Sequence, residues 1–510
     1  MLAWTIYLSF AGALLEALLP ALLPKGRNAL ARWLALALAA AGLALAVAGF
    51  VAGMGQGRET LVDLPWVPSM GIHYLLAADG ISRVLVLLTG LAAVAGVLFS
   101  WNIELRTNEF FAFFFALIGG VYGVFLSFDL FLLFVFYEIA IVPKYFLIAI
   151  WGSTRREYAA MKLALYSFAG SAMVLIGLLA AYATAGSHST GLVDLAAAAH
   201  SGVLPASSQM WLFPLVFIGF AILAGMWPFH TWAPTGHVAA PTAASMLLAG
   251  VVMKLGAYGC LRVAIALFPR GLDPWGFSFA GIGSWRDVFA VLALVGIVYG
   301  ALVALAQTDF KFVIGYSSVS HMGFVLLGLV TLNQIGVTGA VLQMFSHGII
   351  AGLLFAIVGR IVYERTHTRQ LAELETMHLS KRLPFAAWAF VIAGIASMGL
   401  PGFSGFVAEL QVLVGAWQVN PWWVAAAGVG IVVGVAYTWR AMQKAFFSDA
   451  LPSAHALEQE HAHPFATITW PEATGVALLV GVSLFVGLYP KILLDQIEPA
   501  VKALLAGGGQ

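Results

Sequence analysis

Charged residues are scarce in this sequence. Only 9% of its 510 residues are Asp, Glu, Lys or Arg, whereas 62% are hydrophobic. A soluble globular domain carries about 25% charged residues, and a core able to bury this much apolar sequence would exceed the size of one domain. The composition therefore excludes a water-soluble protein and predicts an integral membrane protein.

Cysteine and net charge are nearly absent as well. The only cysteine is Cys260, so the chain cannot by itself ligate an iron–sulfur cluster or close an internal disulfide. The net charge of +1 gives no basic field for nucleic acid, which is not expected as a partner. The sequence also lacks a G-x-x-x-x-G-K-[ST] segment, and its glycines lie inside apolar runs. We therefore expect neither ATP hydrolysis nor a cofactor on this polypeptide.

Long apolar runs occupy most of the chain. Because a membrane helix needs about 20 mostly apolar residues, these runs predict an all-α polytopic protein with about 14 transmembrane helices. Short loops leave little sequence to fold outside the lipid bilayer. The predicted helices are centred in residues 2–23, 30–54, 76–101, 110–127, 128–151, 160–184, 211–235, 241–267, 286–306, 312–331, 336–363, 384–415, 422–446 and 472–491.

Basic residues in the loops indicate the orientation. When alternate loops are assigned to one side, most basic residues share a face, among them Arg155, Lys311 and Arg365, whereas few, such as Arg58 and Arg270, lie opposite. The positive-inside rule places the first face in the cytoplasm. An even number of spans then puts both termini outside, as expected for a multi-pass protein of a bacterial inner membrane.

The seventh and twelfth predicted helices are interrupted. LAGMWPFHTWAPTG at residues 223–236 contains Pro228 and Pro234, and GLPGFSG at residues 399–405 lies inside another apolar run. Proline removes a backbone donor, and unwound backbone at membrane depth is tolerated only inside protein or beside a wet cavity. Two corresponding breaks, five helices apart, predict an inverted-repeat transporter fold. Ordinary proline kinks are the alternative.

The two breaks suggest how the chain is divided. We expect an N-terminal three-helix segment at 1–108, a five-helix repeat at 109–270, a second, inverted five-helix repeat at 271–450, and a loop with a C-terminal helix at 451–510. The loop near residues 447–470 has a composition that resembles a metal site, but no ligand spacing fixes a geometry, so we expect a solvated loop. The histidine and glutamate residues of this loop are His455, Glu458, Glu460, His461 and His463.

Ionisable side chains inside membrane spans are costly and are functional candidates by default. Glu138, Lys254, His347 and Glu409 lie at mid-membrane depth, each on a different predicted helix. Carboxylate, amine and imidazole groups spread over several helices are what proton transfer through a bilayer requires. Static structural pairing of these groups is the alternative.

Other charged residues near the spans have a predicted structural role. Asp79 and Arg83 are spaced i, i+4, which predicts an ion pair on a helix surface. Asp129 and Arg262 lie near predicted helix ends, where structural pairing or snorkelling is expected. Glu16 lies deeper, and its neighbours in the sequence suggest no partner.

Five segments, in order, resemble the antiporter-like M-type (chain 4) subunits of respiratory complex I, the NADH–quinone oxidoreductase. YERTHTR, in the fourth segment, favours M-type subunits over the sister L- and N-type subunits and over Mrp-type antiporters. The resemblance covers nearly the whole chain. The segments are LFVFYEIAIVPKYFLIAIWG with Glu138, AAPTAASMLLAGVVMKLGAYGCLR with Lys254, ALAQTDFKFVIGYSSVSHMGFVLLG with His321, QMFSHGIIAGLLFAIVGRIVYERTHTR with His347, and LPGFSGFVAEL with Glu409.

The resemblance implies an antiporter-like fold and a proton-translocating subunit of an enzyme, with no redox chemistry of its own. It implies that Glu138 is the proton-input group and Lys254 the central relay lysine. His321 and His347 would belong to the polar axis, with Glu409 on the output side. Flavin, iron–sulfur clusters and quinone would lie on partner subunits, and L- and N-type subunits would be the membrane neighbours.

Two other classes of function remain open at this point. The first is a subunit of an Mrp-type cation/proton antiporter, or of a related membrane-bound hydrogenase or carbon-uptake complex. The second is a solute transporter that works as a single chain.

One departure from the family concerns the seventh helix. Family members carry a lysine a few residues before a P-x-H-x-W motif, paired with the fifth-helix glutamate; here the motif is PFHTW and the lysine position is Leu223. Three hypotheses follow. Lys144, six residues after Glu138, supplies the amine, although six residues turn about 240° around a helix. Alternatively His230 takes over the relay, or the subunit translocates protons poorly.

Overall fold

A computed structural model of the chain describes most of its length. The His/Glu loop at residues 455–463 lies outside the described residues. So do Lys25 and Arg27, two of the basic loop residues on which the predicted orientation depends. The structure describes residues 1–22, 28–185, 189–276, 278, 282–450 and 465–507.

Helices dominate the described residues, and thirteen stretches are long and apolar enough to cross a membrane. Their bounds agree with the predicted spans to within a few residues at most ends. The helices are α1 (Ala3–Leu22), α2 (Asn28–Ala52), α3 (Gly80–Phe99), α4 (Thr107–Leu126), α5 (Leu130–Trp151), α6 (Arg156–Ala185), α7 (Leu192–His200), α8 (Ala206–Ala224), α9 (Trp232–Ala239), α10 (Thr242–Ile265), α11 (Trp285–Ala306), α12 (Phe310–Val330), α13 (Gln334–Thr366), α14 (Leu371–Leu374), α15 (Leu379–Arg382), α16 (Pro384–Ser397), α17 (Ser404–Val419), α18 (Pro421–Phe446), α19 (Trp470–Leu488) and α20 (Lys491–Leu505).

Both predicted helix breaks are confirmed. In the seventh span, α8 ends at Ala224, and the residue that caps it, Gly225, has a left-handed φ of 82°. A short 3₁₀ turn at Phe229–Thr231 precedes α9. In the twelfth span along the chain, α16 and α17 are each too short to cross a bilayer alone. Together they form one span, which is added to the thirteen long helices. Gly399 and Gly402 form the turn between them with φ of 73° and 101°, where a side chain would be strained.

The most deeply buried helices lie at the centre of the bundle. The membrane-spanning windows of α10 and α13 are entirely buried, whereas α2 and α18 are largely exposed at the periphery. α10 contains π-helical turns at Leu248–Val252 and Cys260–Ile265, and α13 contains one at Ile357–Tyr363. Such turns occur frequently at functional sites, and the first two flank Lys254.

More of the chain folds outside the membrane helices than expected. An antiparallel hairpin pairs β1 (Glu59–Val67) with β2 (Ile72–Ala78), although the sequence predicted the third span to begin near residue 76. That helix begins at Gly80, because the Asp79 carboxylate caps it by accepting a hydrogen bond of 2.9 Å from the Ser82 amide. The short helix α7 and the C-terminal helix α20 were also not predicted.

The predicted ion pair between Asp79 and Arg83 is wrong. As the N-cap residue, Asp79 has an extended backbone, so the spacing of a regular helix does not apply to it. Its carboxylate pairs with Arg262 at 2.5 Å instead. The Arg83 guanidinium donates to the carbonyls of Gly53 and Gln56 at 2.9 and 3.1 Å.

Two other buried carboxylates have structural partners. Glu16 accepts a hydrogen bond of 2.9 Å from the Asn108 amide, a partner 92 positions away in the chain. Asp129 caps α5 by accepting from the Leu132 amide at 2.9 Å and also accepts from the His73 amide at 3.2 Å. The tertiary structure supplies the Glu16 partner that its neighbours in the sequence did not suggest.

Candidate functional site

Lys254 and His347 form the centre of a buried polar chain. Lys254, on α10, is completely buried, and its Nζ lies 2.7 Å from Nδ1 of His347 on α13. The Lys254 ammonium also donates to the Ala249 carbonyl, in the π-helical turn one helical turn before it. Because a charged ammonium has no acceptor, Nδ1 of His347 accepts when Lys254 is protonated. The contact therefore places a proton donor and a proton acceptor at hydrogen-bonding distance.

The chain continues from His347 to Glu409. The rings of His347 and His321 are stacked with centroids 5.5 Å apart. Nδ1 of His321 lies 3.0 Å from Oε1 of Glu409, and the Gln343 amide donates to the same oxygen at 3.2 Å. The Ser397 hydroxyl lies 3.3 Å from Nε2 of His321. Four helices, α12, α13, α16 and α17, thus contribute side chains to one hydrogen-bonded cluster.

The break between α16 and α17 makes room for the Glu409 carboxylate. A side chain at Gly399 would place its Cβ 3.0 Å from Oε2 of Glu409, and the backbone there is left-handed. Ser404, at the start of α17, hydrogen-bonds to Ser346 of α13 at 2.7 Å. The broken helix is therefore tied to α13 beside the cluster, and a glycine at its turn leaves the carboxylate unobstructed.

A small buried cavity follows this polar cluster. His347 and Glu409 are part of its wall, together with Gln343 and the hydroxyl groups of Ser318 and Ser397. Apolar side chains make up the rest of the wall. Water held by the polar groups would bridge them, and such bridges connect groups that are not in direct contact. The arrangement is suited to moving protons along α13.

The polar groups of the first half are less closely connected. Glu138 is half-buried on α5, and its Oε1 makes no hydrogen bond. Ser171 of α6 and Lys144 are the polar neighbours that interact with its carboxylate. Lys144 is 1% exposed and forms no ion pair within 4.0 Å among the described residues. Glu138 and Lys144 thus interact through space without direct contact.

The geometry of α5 affects how Lys144 is oriented. The helix consists of two segments, Leu130–Ile139 and Ile141–Trp151, that join at Ala140 between the two charged residues. Pro143 follows the junction and lacks the amide donor that a continuous helix would use. The ideal rotation of about 240° for six residues of a straight helix therefore does not describe this segment.

His230 and Leu223 occupy the first broken helix. His230 is 2% exposed, and its ring packs 5.2 Å from that of Tyr299. Neither ring nitrogen has a hydrogen-bond partner among the described residues, and the charged residue that interacts with the ring is Lys162 of α6. Leu223 is also buried, with 1% of its surface exposed.

Two polar residues near Lys254 were not selected from the sequence as site residues. His237, in α9, is completely buried, neither of its ring nitrogens has a hydrogen-bond partner among the described residues, and it interacts electrostatically with Lys254 and Lys311. Lys311 lies in a predicted loop, but it is only 3% exposed. His237 directly follows the interrupted segment at residues 223–236, and a histidine at that place is the signal that the sequence offers. No pattern in the sequence indicated that Lys311 is buried.

Comparison with known families gives one match that covers more than half of the chain. Residues 127–434 match the family NADH:quinone oxidoreductase/Mrp antiporter, TM. The matched region includes both helix breaks and every polar residue of the cluster described above.

Similar proteins include subunits named for the oxidoreductase. The chain is 38% identical to NADH-quinone oxidoreductase subunit M of Rhodobacter capsulatus, covering 90% of this chain and 87% of that one. It is 35% identical to NAD(P)H-quinone oxidoreductase chain 4 1 of Synechococcus elongatus, covering 97% and 90%.

Solved structures share the fold along the entire chain. A chain of respiratory complex I from Thermus thermophilus with bound NADH superposes with a TM-score of 0.87 at 27% identity, covering 100% of both chains. A chain of the Mrp complex from Dietzia sp. superposes with a TM-score of 0.81 at 22% identity, covering 100% of this chain and 99% of that one. The latter likeness concerns the fold alone.

Proposed function

The chain belongs to the NADH:quinone oxidoreductase/Mrp antiporter membrane family, and we propose that it is the proton-translocating M-type (chain 4) subunit of a complex I-type oxidoreductase. Its relatives at 35–38% identity are named as subunits of NADH– or NAD(P)H–quinone oxidoreductases. The observation that carries the proposal is the contact between Lys254 and His347, which continues through His321 to Glu409 inside the bundle.

In the proposed mechanism, protons move along this buried chain in response to quinone reduction elsewhere. Lys254 is the central relay, because its amine lies against an imidazole and is shielded from water. His347 and His321 pass the proton on, and Glu409 releases it. Because each group lies next to the following one, we expect a change in neighbouring charge to shift a proton from one to the next.

Glu138 is proposed as the input group of the first half. The electrostatic interaction between its carboxylate and Lys144 favours Lys144 as the substitute for the lysine that Leu223 replaces. His230 is less well placed for this role, because the charged residue acting on it is Lys162.

The surroundings of the subunit are proposed from the same relationships. Residues 109–270 and 271–450 would be the two inverted repeats, because the broken helix is the fourth span of each. L- and N-type subunits would be the neighbours, and flavin, iron–sulfur clusters and quinone would lie on other subunits, with NADH or ferredoxin as donor. The location is a bacterial inner membrane with both termini outside.

Replacement of Lys254 by Met in the assembled complex tests the proposal. We expect proton pumping driven by NADH, or by ferredoxin where that is the donor, to fall by about 100-fold, since a positioned proton-transfer group contributes about that much or more. Lys502→Met is the matched control, because Lys502 is exposed on α20, and it should pump normally. Unchanged pumping in Lys254→Met, with normal assembly on native gels, contradicts the proposal.

The Mrp-type alternative makes a different prediction. A subunit of a stand-alone antiporter would exchange Na⁺ for H⁺ in vesicles that receive a pH gradient but no electron donor. We expect no such exchange, and pumping only when the donor and quinone are both supplied. Exchange without electron donor would favour the alternative.

A further inference from the structure

A second cavity opens near the start of α10, on the face where basic loop residues concentrate. Its wall includes Ser153 from a loop, Thr242 at the start of α10, Arg360 and Glu364 near the end of α13, and Lys311 at the start of α12. Apolar side chains complete the wall, and its polar and charged groups make water a suitable occupant. The cavity leads from that face towards the most deeply buried helices.

Lys311 is one of the residues that line this cavity, and it is only 3% exposed. Its ammonium donates to the Ala240 carbonyl at 3.0 Å and lies 3.5 Å from the Ser245 hydroxyl. Both partners belong to the junction between α9 and α10, beside the first broken helix. Lys311 therefore contacts both the cavity and this junction.

His237 lies on the other side of that junction. The Ser245 hydroxyl, which neighbours Lys311, donates to the backbone carbonyl of His237 at 2.7 Å. The imidazole of His237 interacts electrostatically with both Lys311 and Lys254. Its two ring nitrogens are buried and have no hydrogen-bond partner in the part of the chain that the structure describes, and such groups are rare in native structures unless water or a function accounts for them.

The first half offers Lys254 no comparable polar connection. At the closest approach of α8 and α10, a Cβ on Gly256 would lie 2.4 Å from the Ala224 amide nitrogen and 2.9 Å from the carbonyl carbon of Leu223. The two backbones therefore pack without space for water, and the side chain at 223 is apolar. Protons that reach Lys254 need a path that does not cross this contact.

We propose that Lys311 and His237 form a proton-uptake branch that supplies Lys254 from the cavity on the basic face, independently of Glu138. The inference rests on the proposed proton-translocating function. Cavity water transfers a proton to the Lys311 amine. The Lys311 ammonium passes one proton across the junction at Ser245 to a ring nitrogen of His237, and the resulting imidazolium protonates the Lys254 amine. Each N–H bond formed matches one O–H or N–H bond broken, so one proton moves inwards.

Substitutions in the assembled complex test the branch. Lys311→Met and His237→Gln should each lower the number of protons pumped per electron by about tenfold or more. Lys311→Arg should fail to the same extent, because arginine keeps the charge but does not release its proton. The control is Lys381→Met, since Lys381 is exposed on α15. Restored pumping in Lys311→Arg would indicate a structural charge and would overturn the proposal.

Lys254→Met distinguishes a failure of the uptake branch from a failure of the proposed function. If Lys254→Met stops pumping while the Lys311 and His237 variants pump normally, the uptake branch is refuted and the proposed function stands. If Lys254→Met pumps normally, both the uptake branch and the proposed function are contradicted. Native gels and electron transfer to an artificial acceptor confirm assembly of each variant.

Cysteine labelling tests the cavity without relying on turnover. The native Cys260 is completely buried, so we expect any thiol labelling of the Thr242→Cys variant to come from the introduced cysteine. We expect a membrane-impermeant cationic thiosulfonate to modify Thr242→Cys in inverted vesicles, which expose the inner face, and to reduce pumping. Absence of modification from that side contradicts a water-filled uptake cavity.

Discussion

The two halves of this protein use buried ionisable groups differently. Lys254, from the first half, and His347, His321 and Glu409, from the second half, form a series in which each lies within hydrogen-bonding or ring-stacking distance of the next. Elsewhere in the first half, Glu138 has an oxygen without a hydrogen-bond partner and no direct ion-pair partner among the described residues. Both halves contain a broken helix. The difference teaches that a helix break alone does not create a polar connection; side chains from several helices must converge on it.

Leu223 accounts for much of this difference. At 1% exposure it fills the position where the resemblance to the family implies a lysine, and the backbones of α8 and α10 are in close contact there, at Gly256. Glu138 and Lys144 are therefore expected to influence Lys254 by electrostatics, whereas Lys254 and the polar groups of the second half are joined by direct contacts.

The largest effect is expected in the second half. Glu409→Gln keeps the side-chain shape but removes the group that takes up and releases the proton, so pumping should fall by about 100-fold. The measurement is the pH change per electron in inverted vesicles. Glu498→Gln, at an exposed position of α20, is the control. Pumping by Glu409→Gln at the control rate would remove the distinction between the halves.

A smaller, coupled effect is expected at Glu138 and Lys144. Each of Glu138→Gln and Lys144→Met should lower pumping severalfold, and the double variant should lose no more than the worse single variant. Interacting pairs show coupling of about 0.5–3 kcal/mol in such comparisons. If the effects of the two substitutions multiply, Lys144 acts independently of Glu138 and is not its partner.

The smallest effect is expected from restoring the lysine in the first broken helix. Leu223→Lys alone should change pumping little, but it should recover part of the loss in a Lys144→Met background, because it returns an amine to that helix. Leu223→Met is the control, since it conserves volume without adding charge. A variant that assembles normally yet gives no recovery argues against Lys144 as the replacement amine.

Much of the fold was predictable because it depends on local composition. Apolar runs of sufficient length require membrane helices, and Pro228 and the Gly399–Gly402 turn interrupt them for reasons that the backbone alone supplies. The hairpin and α20 were not predicted, because short amphipathic segments give weak signals beside long apolar runs. The partners of charged groups also depended on distant residues, as the pairing of Asp79 with Arg262 illustrates.

The sequence by itself determined that this is a membrane protein, where its apolar spans lie, where two of them break, and which ionisable residues lie inside the predicted spans. These properties follow from the cost of placing charge and unpaired backbone in lipid, which each segment incurs independently. Only the tertiary structure decided which of those groups meet. Lys254 reaches His347 across 93 positions of sequence, and Lys311 is buried against the junction before α10. Proton transfer depends on distances of a few ångströms between helices, and packing alone sets those distances.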